Sequence, residues 1–403
     1  MRDGWEIKQL GDVLKKIETI DPTKNPGKEF HYIDVSSVNN ESFSIENTVL
    51  LKGKDAPSRA RKLIRLNDVI FATVRPTLKR IAMVPKEFDC QICSTGYSVL
   101  RSNDTIQYKL LFYFLQTDTF ISEMEKLQRG ASYPAVTESD IKQQLICFPK
   151  SLSEQKRIVA ILDETFVAID KAKINAEKNL QNARELFEKY LQNIFANQGK
   201  NWEEMKLSEV CKLKSGTTIS TSLERNEGDV LYTKIADMNL PENEIEINTS
   251  TRFVNSKEIK MNQIIPEGAI IFPKRGGAIA TNKKRKIIKP TIVDLNTMAI
   301  IPGKEINKDF LYHWFKLIDL NNISNGTSIP QINNYSFDEV YIPYPKSLKE
   351  QETIVARLDL LSTETKKLET IYQQKLNDLE ELKKSILQKA FNGELKTFNN
   401  VLV

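Results

Sequence analysis

The sequence predicts an α+β protein: two tandem mixed α/β domains, separated by two long helices that pair as an antiparallel coiled coil, with an internal pseudo-two-fold symmetry. Three observations carry this. The segment Pro149 to Asp163, PKSLSEQKRIVAILD, returns as Pro345 to Asp359, PKSLKEQETIVARLD. At the same offset, Gly130-Ala131-Ser132-Tyr133-Pro134 returns as Gly326-Thr327-Ser328-Ile329-Pro330. The opening Trp5-Glu6-Ile7-Lys8-Gln9-Leu10-Gly11-Asp12-Val13 is echoed by Trp202-Glu203-Glu204-Met205-Lys206-Leu207-Ser208-Glu209-Val210. A period this long is that of a whole domain plus a helix, not of a solenoid unit.

Residues 1–150 form the first domain. Asp68-Val69-Ile70-Phe71-Ala72-Thr73-Val74 and Gly96-Tyr97-Ser98-Val99-Leu100 are β-branched and aromatic runs, which predict strands. Pro22, Pro26 and Pro57 punctuate loops. From Tyr108 to Leu127 apolar residues recur at helical spacing and predict one helix. Gln144 to Pro149 reads as a last strand. Residues 201–345 repeat this order: strands at 268–272 and 296–301, a helix from Asp309 to Leu320, and a last strand from Glu339 to Pro345. The middles of the two domains differ more than their edges, so the edges read as scaffold and the middles as the parts that read different targets.

A long helix follows each domain, within 151–200 and 346–403. In the first, Leu162, Phe166, Ile169, Lys173, Ala176, Leu180, Ala183, Phe187, Tyr190 and Ile194 step by alternating four and three; in the second, Leu361, Thr365, Leu368, Tyr372, Lys375, Leu379, Leu382 and Ile386 do the same. That is a coiled-coil stripe, with Lys173 and Lys375 as its polar breaks. Ser151 with Glu154 and Ser347 with Glu350 have the spacing of capping boxes, and Gly199 and Gly393 stand just beyond the ends. About 40 helical residues give a rod of roughly 60 Å.

Composition excludes several classes. Four cysteines in 403 residues are too few for a disulfide framework, and no apolar run approaches a membrane span, so a cytoplasmic protein is expected. With only His31 and His313, histidine-based catalysis and histidine-rich metal sites are not expected. There is no P-loop, no Gly-x-Gly-x-x-Gly and no amino-methyltransferase tetrapeptide. Cys90-x-x-Cys93 lacks a second pair and reads as two small residues entering a strand.

The net charge of +5 is modest, but it is unevenly placed. Between Lys52 and Arg80, nine cations are opposed only by Asp55 and Asp68; Lys274, Arg275, Lys283, Lys284, Arg285, Lys286 and Lys289 have no acid among them. Two basic patches at corresponding places fit contact with the phosphates of double-stranded DNA. The candidate contacts are Arg59, Arg61, Lys62, Arg75, Lys79 and Arg80 in the first half, and Lys274, Arg275, Lys283, Lys284 and Arg285 in the second. Arg75-Pro76 and Arg275-Gly276 each follow a strand, and arginine can bind a guanine edge through two hydrogen bonds. Ser132 and Ser328, in the Gly-x-Ser-x-Pro loops, either meet phosphates or sit in plain structural turns.

The doubled Pro-Lys-Ser-Leu-x-Glu-Gln-x-x-Ile-Val-Ala-x-Leu-Asp box, the Trp-x-x-x-x-Leu-x-x-Val openings and Phe71-Ala72-Thr73-Val74-Arg75-Pro76 resemble the DNA specificity subunits of type I restriction-modification systems over essentially the whole chain. The resemblance implies two target recognition domains, 1–150 and 201–345, each reading one half of a split DNA site. It implies that the helices within 151–200 and 346–403 set the gap between half-sites and dock two methyltransferase subunits. S-adenosylmethionine would be bound by that modification subunit, and no cofactor, metal or catalytic residue would belong to this chain. A restriction and translocase subunit would complete the complex. The competing expectation is a coiled-coil scaffold whose globular ends bind proteins.

Overall fold

The structure is a computed structural model and describes residues 3–326 and 328–395. Met1-Arg2, Thr327 of the second Gly-x-Ser-x-Pro loop and the tail 396–403 lie outside the described residues. Contacts divide the chain into two units, Met1–Glu177 with Gln373–Val403, and Lys178–Tyr372. Each unit therefore joins one mixed domain to the near part of its own long helix and the far part of the other.

The first unit runs β1 (Trp5–Gln9), β2 (Glu29–Ile33), β3 (Val49–Lys52), β4 (Ala60–Leu63), β5 (Val69–Ala72), β6 (Ile81–Met83), β7 (Ile92–Ser94), β8 (Tyr97–Leu100), α1 (Tyr108–Phe114), α2 (Asp118–Leu127), α3 (Glu138–Lys142), β9 (Leu145–Pro149) and the start of α4 (Leu152–Ala196). Its sheets have the orders β1-β9, β3-β2-β7-β4 and β6-β5-β8. The second unit carries β10 (Trp202–Lys206), α5 (Leu207–Val210), β11 (Cys211–Ser215), β12 (Val230–Thr233), β13 (Glu246–Ile247), β14 (Phe253–Val254), β15 (Ile270–Pro273), β16 (Arg285–Ile287), β17 (Thr291–Val293), β18 (Thr297–Pro302), α6 (Lys308–Lys316), β19 (Tyr341–Pro345) and the start of α7 (Leu348–Phe391). Its sheets are β10-β19, β11-β18-β15-β16-β13 and β14-β12-β17.

The repeated motifs meet in space. β1 pairs antiparallel with β9, Trp5 opposite Pro149, and β10 pairs with β19, Trp202 opposite Pro345. The opening of each half is thus clamped to the strand that leads into its long helix. β5 and β15 are buried along their whole length, which is why they read as unbroken apolar runs rather than alternating ones.

The helix expected over 108–127 is two helices. Thr117 ends one and starts the next: its hydroxyl donates to the Phe114 carbonyl at 2.7 Å and accepts from the Phe120 amide at 3.3 Å. The break lets Phe120 stack edge-on against Phe71 at 5.3 Å and lie 5.4 Å from Phe114. Apolar spacing alone did not reveal it, because residues on both sides of the break are buried.

α4 and α7 pair antiparallel. In the first unit Lys173 meets Glu380 at 3.3 Å and Asp170 meets Lys383 at 3.7 Å; in the second Arg184 meets Glu369 at 3.4 Å. Partners fall along α7 as they rise along α4. Exposed pairs of this kind stabilise little, but they match register. The buried stripe follows the expected one through Ala183 and then shifts to Leu191 and Phe195, leaving Tyr190 exposed. This is the drift of a 3.6-residue helix against a 3.5-residue repeat. Along α7 the expected stripe is met less well: Lys375 faces solvent with Leu376 half-buried beside it, and Leu368 and Leu382 are exposed too. Beyond α7, Gly393 has φ +72° and the Glu394 amide reaches the Lys389 carbonyl at 2.8 Å, a glycine-closed helix end.

One side chain fixes each helix to its domain. Gln155 is fully buried; its amide donates to the Thr105 and Pro149 carbonyls at 2.9 and 2.8 Å and its oxygen accepts from the Gln107 amide at 2.8 Å. Gln351 repeats every bond, to Glu305, Pro345 and Asn307 at 2.8, 2.9 and 2.7 Å. Gln351→Leu or Gln155→Leu leaves one donor and two acceptors without their partner, the Pro345 or Pro149 carbonyl in a fully buried bond and the others part-buried, and should cost about 1–3 kcal/mol. Urea unfolding of each variant measures this; a midpoint equal to that of the wild type would remove the glutamine from the role of anchor.

Candidate nucleic-acid interface

The basic turn and the Gly-x-Ser-x-Pro loop, two separate motifs in the sequence, form one element in each unit. In the first, Arg129 and Ala135 exchange backbone hydrogen bonds of 2.8 and 2.9 Å and close the loop 130–134. The chain leaving β5 pairs with it: the Val136 amide donates to Thr73 at 2.9 Å and the Arg75 amide to Pro134 at 2.7 Å. In the second, Asn325 and Gln331 close the loop at 2.7 and 2.8 Å, the Ile332 amide donates to Lys274 at 2.8 Å and the Gly276 amide to Pro330 at 2.8 Å. Glycine is required at each loop's start. Gly130 and Gly326 have φ of +98° and +109°, and a Cβ at Gly326 would lie 2.7 Å from the Ile329 carbonyl.

The hydrogen bonds also fix which residues correspond. The Thr73 amide bonds Gly96 as the Lys274 amide bonds Asn296, so Arg75 corresponds to Gly276 and Arg275 to Val74. From sequence, Arg75-Pro76 has Arg275-Gly276 as its only second-half equivalent; in space the arginines are offset by one residue. Their backbones differ as well: Arg275 is extended at φ −145°, whereas Arg75 is left-handed at φ +49°. The two arginines are therefore not interchangeable.

Arg75 is exposed and adopts a left-handed φ of +49°, a conformation that costs a non-glycine residue of order 1 kcal/mol. Its guanidinium lies 5.4 Å from the ring centre of Tyr133, itself 72% exposed at the loop tip. That stacking braces the guanidinium while leaving its donors open. The corresponding tip residue in the second unit is Ile329, 53% exposed. Ser132 and Ser328 are exposed on the same loops. Sequence reading did not single out Tyr133; the signal available was an aromatic residue in the loop where the other repeat has isoleucine.

The remaining cations are placed differently. Arg59 is exposed and has no ion pair among the described residues. Arg61 is half-buried against Asp21 at 2.9 Å, and Lys79, also left-handed, meets Asp118 at 3.1 Å. Arg80 donates to the Val35 carbonyl at 2.7 Å. Lys62 is buried and bonded to Glu138 and the Tyr97 carbonyl. Burial pushes the Glu138 carboxyl up, but the Lys62 ammonium outweighs it and holds the group below the usual glutamate range. In the second unit Lys274 donates to Ser215 at 3.0 Å, Lys283 to Asn239, and Arg285 to the Met238 carbonyl at 3.1 Å. Lys284 is buried, donates to Asn282 and the Ile318 carbonyl at 2.8 and 2.6 Å, and is pulled down to about 8 by burial. Cys93 is buried in β7 and Cys90 exposed beside it. No helix among the described residues is long and apolar enough to cross a membrane.

Comparison with known proteins fits this layout. The family described as type I restriction modification DNA specificity domain matches residues 2–180 and again 199–381. A chain from a structure described as the basis of complex assembly and conformational transition of the type I R-M system is 29% identical, with a TM-score of 0.84 over 98% of this chain and 99% of that one. The HsdS subunit from Thermoanaerobacter tengcongensis is also 29% identical, with a TM-score of 0.72 over 98% of each chain. The HindI specificity subunit of Haemophilus influenzae is 26% identical over 182 residues, which is 43% of this chain and 37% of that protein.

The placement of Lys62 makes two expectations measurable. Lys62→Met combined with Glu138→Gln should leave duplex DNA affinity unchanged in a gel-shift titration. Because the folded Glu138 pKa is depressed, the native state binds fewer protons than the unfolded chain in that window. Its stabilisation is present above the ordinary value of 4.5 and is lost as pH falls through the folded value. Glu138→Gln should flatten that acid limb in pH-dependent unfolding.

Proposed function

This chain belongs to the type I restriction-modification DNA specificity family, and from that premise we propose that it is the subunit that reads the DNA sequence for such a system. Each turn-and-loop element reads one half of a bipartite site. α4 and α7 set the spacing between the halves and dock two methyltransferase subunits. Those subunits bind S-adenosylmethionine and methylate adenine N6, a restriction and translocase subunit joins them, and the assembly works in the cytoplasm. This chain supplies recognition and no catalytic group.

The observation that carries the reading is the element built twice on the same backbone bonds with different exposed chemistry. Thr73 to Arg75 against Val136 to Pro134 is repeated by Lys274 to Gly276 against Ile332 to Pro330, while the tips differ: Arg75 with Tyr133 in one, Arg275 with Ile329 in the other. A frame repeated in both units with unlike tips suits a protein that reads two unlike half-sites. Phosphate contacts give affinity and register; base-edge contacts give specificity. An arginine braced by an aromatic ring and carrying open donors is suited to the second task.

Co-expression with the modification subunit of its own operon, followed by genome-wide mapping of N6-methyladenine, should reveal a split motif methylated on both strands. A stable complex that binds duplex DNA with no sequence preference would defeat the reading. Arg75→Ala should cost about 1–3 kcal/mol on the cognate duplex and relax specificity at one position of one half-site. An equal loss on every sequence would demote Arg75 to a phosphate contact.

A further inference from the structure

A short connection from Gly276 to Thr281 leads from the second unit's turn into a cleft of about 280 Å³ lined by Asn282, Lys283, Lys284, Arg285, Tyr312 and Lys316. Four of these are cations, and no carboxylate lines the cleft. Lys316 is the unusual one. Its ammonium lies 4.8 Å from the centre of the Tyr312 ring and 5.1 Å from that of Phe187, with no hydrogen-bond acceptor and no ion pair among the described residues. Lys284, 6% exposed, sits 5.3 Å from the Phe315 ring centre. Burial lowers both ammoniums to about 8, opposed by Asp319 at Lys284 and by Asp359 and Glu244 at Lys316. Lys284 is bonded to Asn282 and the Ile318 carbonyl, and Asp359 and Glu244 favour the charge on half-buried Lys316, but no carboxylate lines the cleft itself, so an anion bound there would meet four cations directly.

Three of these four cations have uncharged counterparts in the first unit. β5 and β15 correspond through their pairing with β8 and β18, Val69 with Ile270. Continuing through β6 and β16, Ile81 and Ala82 stand where Lys284 and Arg285 stand. Both are fully buried. The Gln107 and Asn307 amides, bonded alike to the anchoring glutamines, align Gln116 with Lys316, and Gln116 is a buried amide. At three of the four positions the first unit thus carries two apolar residues and a neutral one; at the fourth, Arg80 stands where Lys283 stands.

We propose that this cleft is a phosphate site, through which the second unit grips one diester of the DNA backbone without regard to base sequence. A phosphodiester supplies one negative charge and acceptor oxygens for Lys316, Lys283 and Arg285. The connection to Arg275 places the grip on the segment that also carries the reading turn. This inference rests on the reading that the chain binds DNA.

The test uses the chain in complex with its modification subunit. Lys316→Met keeps an unbranched stem between Phe187 and Tyr312 and removes the charge; Lys316→Arg keeps the charge. The methionine variant should bind cognate and scrambled duplexes about tenfold more weakly, the order of one charge-assisted hydrogen bond. Its slope of log affinity against log salt should fall by about 0.9. Without DNA it should melt no lower than the wild type, since a half-buried ammonium with no ion pair among the described residues has gone. The arginine variant should bind as the wild type does. Unchanged affinity and slope in the methionine variant would overturn the proposal. So would a loss confined to the cognate duplex, or a lowered melting point with the arginine variant equally defective. If the wild-type complex shows no salt-dependent affinity for any duplex, the DNA-binding reading itself fails, which is a separate result.

Discussion

The arrangement of each unit depends on a single buried carboxamide. A glutamine in the first turn of a long helix would ordinarily face water. Here Gln155 and Gln351 turn inward and bond three backbone groups. One partner is the carbonyl that ends the last strand, and the other two lie just before α1 or α6. Strand, helix entry and domain helix therefore meet at one side chain, and the departure angle of the long helix is set there. A second tie lies two turns along: Asp163 accepts from Tyr113 at 2.6 Å, and Asp359 pairs with His313 at 2.8 Å. Burial holds His313 below its ordinary pKa against the pull of that aspartate. The tie changes chemistry between the units but keeps its place.

With the frame fixed in this way, the exposed positions are released from structural duty. Tyr133 and Ile329 occupy the same loop site, and Arg75 and Gly276 the same turn site, yet the backbone bonds around them are equal in both units. Gly130 and Gly326 are constrained by their left-handed backbone, and at Gly326 the Ile329 carbonyl across the loop also excludes a side chain. The division between fixed and free residues is thus imposed by geometry. It allows one fold to present two different surfaces without rebuilding either core.

Much of this was legible in the sequence. The doubled Glu-Gln box and the tryptophan openings were recognisable because buried hydrogen bonds and strand pairing tolerate few substitutes, so they survive in both copies. The strands at 68–74 and 268–272 were legible because burial on both faces demands unbroken apolar runs. Two features were less visible. The break at Thr117 depends on a hydroxyl that serves both as a helix stop and as a cap, which apolar spacing does not register. The coiled-coil stripe drifts after Ala183 because nothing holds the helix to the 3.5-residue period once the domain packs against it.

The cations show most clearly where sequence reading stops. Lys62 and Arg75 stand thirteen residues apart in one basic stretch and look alike as letters. Glu138, distant in sequence, draws one into the interior, while Tyr133, five residues earlier on the same segment, holds the other at the surface. The same sorting divides Lys284 from Arg275. Charge counting locates a basic segment, but the partner that decides between burial and exposure comes from another element, and only the folded chain brings it near. For that reason the pairing of turn with loop, rather than the number of cations, is the better guide to which arginine is free to read a base.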